Sequence, residues 1–534
     1  MATKYIDNRL TDGANDGSSP ANAWRSLLAA QLGTISAGDV VEVAAGSGPY
    51  YEATNVNANL RVNATDISFD AASRQIRTAG AVSFSAYNTA GQIIRVFGSA
   101  LNDGQYTVAS ASATQITLSA TNTLRDEAAG ARVRVTDITA ANASGNRPFV
   151  FDQGRNGSNG NPIIWNFNGC EISAGWPLTN GTHKWVRSAA NPNEWYALRA
   201  DGSNPSLNKP ESAVVNGHFM CAAAGDADRN RGTVGALTFE KQYGYGDNDG
   251  LGFSTVYVRA PGDPIALGWS IVVGQIHCVM YQNWGDHTFR GARFSFGCGN
   301  ANGTVNGACV LARGLRFRFE RCVFMYADGH AFEANASGPH ILDHCIGYWC
   351  GHRFLVTGAT NMTVSAINCV DWGAHLFCLI STNADATTTV NIRGCISANN
   401  EAGAIDKKDA DAVLQESHNL WYPRMTAVGG ALGYISPANW AKTSPFDLPS
   451  YTATTESDQS VLENPLFQAV SDTDFDACNW RLKPGSRAIG RGQFNESTGA
   501  ATTDYQGQTI TKRYNIGVDQ TQYVRPLILG ARPT

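Results

Sequence analysis

Glu320 and Asp343 lie 23 residues apart, and each stands two places before a cysteine, Cys322 and Cys345. Phe317 and Phe319 precede the first cysteine by five and three places, and His340 and Leu342 precede the second in the same way. Residues of one parity share a face of a strand, so the phase that turns Phe319 and Leu342 inward turns Glu320 and Asp343 outward in one column. On neighbouring strands their Cα atoms would be ~5 Å apart, compatible with the ~5–5.5 Å carboxyl separation of retaining glycosidases. Like charges that close push one carboxyl toward the protonated form, which is how an acid is made at neutral pH. The ordinary reading, which carries more weight, is a surface ladder neutralised by Arg318, Arg321 or Arg393. Asp328 and Asp371 join the pair as further catalytic candidates, and Glu333 and Glu401 are individually weaker outward or turn-borne carboxylates. Tyr348, Trp349, Trp372 and Arg353 are the candidate substrate-binding residues, through ring faces that stack on sugars and a guanidinium that reaches hydroxyl or acid groups.

Other chemistry is less well supported. His287, His330, His352 and His375 form a recurring His-x-Phe pattern that serves better as a core cap than as a metal site or proton relay. The cysteines lack a CxxC pair, so zinc is not expected. Asp247-Asn248-Asp249-Gly250 lacks the distal Glu of a calcium loop and reads as a turn, so no cofactor is expected and Ca2+ has only weak support. Lys407-Lys408-Asp409-Ala410-Asp411 has the residue types of a lyase base and calcium acids without their spacing, and reads as a charged loop.

The carboxylates need a scaffold, and the repeat supplies one. Cys322, Cys345, Cys369 and Cys395 recur at 23, 24 and 26 residues, each preceded by the same period-2 apolar pair. Arg290-Gly291-Ala292-Arg293-Phe294-Ser295-Phe296 recurs as Arg313-Gly314-Leu315-Arg316-Phe317-Arg318-Phe319, again 23 apart. No segment within the period is long enough for a helix, and the leucine-rich signature is absent. Short strands with tight turns predict a parallel β-helix of about a dozen coils, roughly 55–60 Å long at the usual strand spacing.

The 534-residue chain fits this all-β expectation. Charged residues are 16%, lysines number only nine, and glycines number 55. The net charge of −5 argues against a nucleic-acid partner, and no apolar run is long enough to span a membrane. The N-terminus has no signal-peptide pattern, which predicts synthesis in the cytoplasm with mostly reduced thiols.

The opening segment, with Tyr5-Ile6-Asp7, Asp12-Gly13, Trp24 and Ala37-Gly38-Asp39-Val40-Val41-Glu42-Val43, resembles the start of right-handed parallel β-helix proteins, and residues 21–33 resemble their capping helix. Asn464-Pro465-Leu466-Phe467, Pro484-Gly485-Ser486-Arg487-Ala488-Ile489-Gly490 and Asn515-Ile516-Gly517-Val518-Asp519 resemble the closing segment of the same fold. Residues 66–136 alternate as short strands and resemble an insertion of phage virion proteins. The expected organisation is a cap and first coils over 1–65, the inserted module over 66–136, coils over 137–175, and an aromatic antiparallel elaboration over 176–270. Central coils follow over 271–412, with an irregular excursion and closing segment over 413–534.

The whole is similar to bacteriophage tailspike and tail-fibre proteins. That resemblance implies a homotrimer in the virion, in contact with other tail or baseplate proteins, that binds capsular or O-antigen polysaccharide and depolymerises it by hydrolysis. The competing expectations are a non-catalytic structural or receptor-binding virion protein and a β-eliminating polysaccharide lyase.

Overall fold

The computed structural model describes residues 1–517 except 11–12, 26, 28–29, 31–33, 51–60, 98, 100, 103, 121, 131–132, 138–149, 152–156, 179–182, 200–201, 203–209, 222–230, 252–254, 275–277, 283–284, 298–306, 336–337, 375, 381–386, 401–402, 408–411, 424, 429–430, 435–460, 463–464, 472, 485, 487 and 490–516. Among the described residues, three parallel sheets of nine, eight and seven strands carry the body. Each central coil contributes one strand to each sheet. One coil, for example, runs through Phe317–Glu320 in the first sheet, Val323–Met325 in the second and His330–Ala334 in the third. This is an all-β, single-stranded parallel β-helix, right-handed as parallel β-crossovers are.

The cysteine spacing is the true register. Phe319 pairs with Leu342, Leu342 with Ala366, and Ala366 with Ile392, three places before each cysteine. Inside, aromatic rings stack along the axis: Trp165 on Phe289 at 6.4 Å and Phe289 on Phe319 at 5.1 Å. Such stacking adds to the burial of large apolar surface that holds the coils together.

The corner between the first and second sheets is made by one residue in the left-handed conformation: Asn168, Gly291, Arg321, His344, Asn368, Gly394 and His418, all with φ between 51° and 64°. On five of these coils the next residue points inward and bonds to a carbonyl of the preceding coil. Cys322, Cys345, Cys369 and Cys395 donate to the carbonyls of Phe289, Phe319, Leu342 and Ala366 at 3.3–3.5 Å. Asn419 continues the ladder, donating from Nδ2 to the Ile392 carbonyl at 2.9 Å and accepting from the Cys395 amide. The thiols therefore act as a turn filler, and the inward cysteine is the repeat's most reliable marker.

Three sequence expectations differ from this register. Arg290–Phe296 and Arg313–Phe319 are not equivalent, because Phe289 pairs with Phe319 and Phe294 with Phe324, 30 residues on. The similarity of their Arg-Gly-x-Arg-Phe pattern matched a first-to-second-sheet corner with a third-to-first-sheet corner. His287 does not share a column with His330: it lies in the first sheet, stacked on Phe317, which stacks in turn on His340. His330 pairs with Arg353 in the third sheet, with its ring 5.9 Å from that of His352, while His375 falls outside the described residues. The first sheet has nine strands among the described residues rather than a dozen, because two insertions consume chain between coils.

The first insertion is a seven-stranded antiparallel sheet from Arg61–Ala64 to Val133–Asp137 with its own core. The second comprises two four-stranded antiparallel sheets between Gly175–Pro177 and Ile271–Gly274. Trp176, Trp185 and Tyr243 are buried there, which makes those aromatics a second small core. The coil resumes at Ile163–Asn166, paired to both Val40–Val43 and His287–Arg290. Six of the thirteen residues of the capping helix expected over 21–33 lie outside the described residues, and Leu27 and Ala30 have helical backbone and are buried against the first coil.

Candidate functional site

Glu320 and Asp343 are register partners on the outer face of the first sheet, and arginines clamp both. Arg318 donates from Nε to Glu320 at 2.5 Å and from Nη2 to Asp343 at 2.6 Å, while Arg290 Nε donates to the other Glu320 oxygen at 2.6 Å. The second Asp343 oxygen lies 2.7 Å from His344 Nδ1. Glu320 is 8% exposed and Asp343 is fully covered, so the outward phase does not bring Asp343 to solvent.

The other candidates are dispersed. Asp371 faces the interior, because it pairs with Gly347, whose Cβ direction meets both the Phe354 ring and an Asp371 oxygen. Asp328 is buried at the turn from the second to the third sheet, and its amide donates to the Gly297 carbonyl. Glu333 lies in the third sheet, where burial pushes its carboxyl upward against the opposing effect of Arg313. Glu401 and residues 408–411 lie outside the described residues, and Lys407 ends the strand Gly403–Lys407.

Tyr348 and Trp349 are buried in a second core, formed where the C-terminal segment lies across the second sheet. Tyr348 donates to the Ser471 carbonyl and Trp372 packs on Phe467 and Trp480, so these rings face protein. A Cβ on Gly373 would come within 2.3 Å of the Trp349 ring, so that corner accepts only glycine. Arg353 donates to His352 Nδ1 at 2.8 Å. Asp249 accepts from the Ala189 amide and the Ser188 hydroxyl, which ties a turn together. Among the described residues there is no group of three or more His, Cys, Asp or Glu placed to hold a metal ion, and no helix long and apolar enough to cross a membrane.

Beside the carboxylate pair, at the corner of the first and second sheets, lies an open cleft of about 460 Å³. It is lined by Asn166, Asn168, Arg290, Arg293, Arg321 and Val323, with Gly169 and Gly291 at the bends. Each residue is set by the coil: Asn166 and Arg290 are register partners on the first sheet, Arg293 and Val323 on the second, and Asn168 and Arg321 are left-handed corners. Glu42 accepts from the side-chain amides of Asn166 and Asn168 at 2.6 and 3.3 Å and so orients them.

Glu171 flanks the cleft from the second sheet, as the register partner of Arg293. It bonds with the Ser295 hydroxyl, and burial pushes its carboxyl above the ordinary range despite Arg293 nearby. Neither Glu171 nor the arginine cleft stood out in the sequence. The signal present was that Glu171 follows Cys170 on the same ladder as Cys322, which puts it at the head of a second-sheet strand.

No family model matches the chain, and no curated protein matches it. Three solved structures show how far its likeness extends. XylC in complex with xylose has a TM-score of 0.38 at 9% identity, over 97% of this chain and 98% of that one. The pectate lyase Pel9A has a TM-score of 0.33 at 10% identity, over 98% and 97%. The tailspike protein gp49 from Pseudomonas phage LKA1 has a TM-score of 0.15 at 9% identity, over 73% and 64%. Likeness at this level carries no argument about activity, and the class to which the chain is assigned, parallel β-helix, is read from its own sheets.

Proposed function

We propose that this protein is a phage tail component, a tailspike or tail fibre, that binds bacterial surface polysaccharide in the cleft at the corner of the first and second sheets. The observation that carries the binding is a cleft of about 460 Å³, within the usual range of ligand sites, lined by three arginines and two asparagines on strands and the corners that join them. Arginine forks and side-chain amides match the vicinal hydroxyls and acid groups of sugars. The tail assignment rests on the sequence patterns of the opening, inserted and closing segments, and with it come a homotrimer, contact with other tail proteins and a place in the virion.

The experiment is retention of purified protein on immobilised capsule or lipopolysaccharide, with Arg290→Ala and Arg293→Ala in parallel. Loss of retention in folded variants supports the cleft, and unchanged retention sinks it.

A second reading adds hydrolysis. Glu171 is the register partner of Arg293 on the second sheet and Glu320 accepts from Arg290 on the first, and their surroundings differ. Burial keeps Glu171 protonated toward higher pH, as a general acid requires, whereas Glu320 accepts from two arginines that hold it in place for the part of base or nucleophile. Asp343, without exposed surface, then positions Arg318. New reducing ends released by the wild type and lost in Glu171→Gln support this reading. New unsaturated ends would point to elimination instead, and binding without either product would leave an adhesin.

A further inference from the structure

We infer that the cleft selects an anionic sugar, one bearing a carboxylate, and that Asp476 of the C-terminal segment occupies part of that carboxylate's place. The inference rests on the polysaccharide-binding reading and narrows it to a substrate class.

Among the described residues that line the cleft, three are arginines and none is acidic. The three differ in what holds them. Arg290 is engaged through Nε by Glu320. Arg293 pairs through Nη1 with Asp476 at 2.7 Å and lies 5.4 Å from the Phe475 ring centroid. Arg321 has a buried Nε that meets no hydrogen-bond partner. A buried, unbonded guanidinium nitrogen beside a cleft is costly unless an acceptor arrives, and a carboxylate is the acceptor that suits the fork.

The backbone points the same way. Arg321 has φ 55°, at a corner where other coils place Asn168, Gly291, Asn368 or Gly394 and, on two coils, His344 and His418. Glycine and asparagine visit this conformation readily, whereas an arginine adopts it at a cost. Strain of this kind gathers where a side chain is required for binding, and what this side chain brings to the corner is a positive charge on the cleft. A neutral glycan would be served as well by asparagine at the same place.

Asp476 supplies the last element. Its side chain is 70% exposed, so its pairing with Arg293 is screened and readily exchanged. An incoming sugar carboxylate replaces it and gains Arg321 as well, which Asp476 does not reach.

The test uses the full chain and two monosaccharide probes, D-galacturonate and D-galactose, followed by ligand-observed NMR titration at constant ionic strength. Galacturonate is expected to bind at least about tenfold more tightly than galactose, as one charge-assisted contact implies. Arg321→Asn should remove that preference. Asp476→Asn should strengthen galacturonate binding about two- to fivefold, the range of an exposed pair. Equal binding of the two sugars, or an unchanged preference in Arg321→Asn, overturns the inference while leaving a glycan cleft in place. Failure of both sugars to bind overturns the inference and the binding reading together.

Discussion

Glu320 and Asp343 face each other across adjacent coils, and a single arginine, Arg318, donates to both carboxylates. Two negative charges in one column would repel, so the arginine is what allows the column to stack. Arg318 is itself only 18% exposed, which places the triad in a weakly screened environment. Replacing Arg318 with Met should therefore destabilise the fold by about 3–5 kcal/mol, the range for removing one partner of a buried charge group. Adding Asp343→Asn should recover much of that loss. Equilibrium unfolding in urea measures both; equal stability of Arg318→Met and wild type would show that the triad is not coupled.

Arg321 separates binding from stability. Its left-handed backbone costs an arginine on the order of 1 kcal/mol, and asparagine less. Arg321→Asn is expected to raise the unfolding free energy by about 0.5–1 kcal/mol while removing the preference for the uronate. A residue kept for packing alone would show the opposite, a loss of stability on substitution. Thermal unfolding beside the NMR titration distinguishes the two.

Glu171 predicts a pH dependence whose sign is fixed by its surroundings. Burial raises its carboxyl above 4.5, so between the unfolded value and the raised one the folded protein holds a proton that the unfolded chain has released. This group's contribution to stability falls as pH rises through that window, by at most about 1.4 kcal/mol per pH unit, and then levels off. Glu171→Gln carries no such proton, so it should match wild type at low pH and exceed it above the window. Urea titrations at pH 4 to 8 would show it; a constant difference across that range would mean that Glu171 is ionised throughout.

The sequence carried the scaffold better than the site, for a physical reason. A coil must present the same inward residue at the same turn, so Cys322, Cys345, Cys369 and Cys395 keep step and set the true register. Outward residues answer to no such rule. Parity placed Glu320 beside Asp343 correctly and the sequence offered Arg318 as their neutraliser, yet it could not show that Asp343 would be fully covered, with His344 against its second oxygen. Asp371 departs further, because its own side of the second sheet is the inner one, beside Gly347 and Phe354. The cleft joins Asn166 to Arg290 and Arg321 across an insertion of about a hundred residues, and the spacing within the central repeats does not reach across it. Tyr348, Trp349 and Trp372 read as sugar platforms only while the C-terminal segment that covers them was unseen.

That covering segment makes the last prediction. The outer face of the second sheet carries Val323, Ile346, Tyr348, Val370, Ile396 and Leu420, an apolar stripe that would be exposed on a bare coil. Phe467, Phe475 and Trp480 close over it, with Trp480 3% exposed and its ring centroid 5.3 Å from Phe467, 6.2 Å from Phe475 and 6.3 Å from both Tyr348 and Trp372. Trp480 thus touches both layers and is the residue whose loss opens the seam. Trp480→Ala is expected to cost about 3–5 kcal/mol, the usual penalty for emptying a buried aromatic site. Because Asp476 belongs to the same segment, the variant should also loosen the Arg293 pair and raise uronate affinity even where the coil stays folded. Dye binding to the uncovered stripe, unfolding in urea and the NMR titration read the three effects. A variant that melts like wild type and binds uronate no better would show that the segment rests on the coil without holding it.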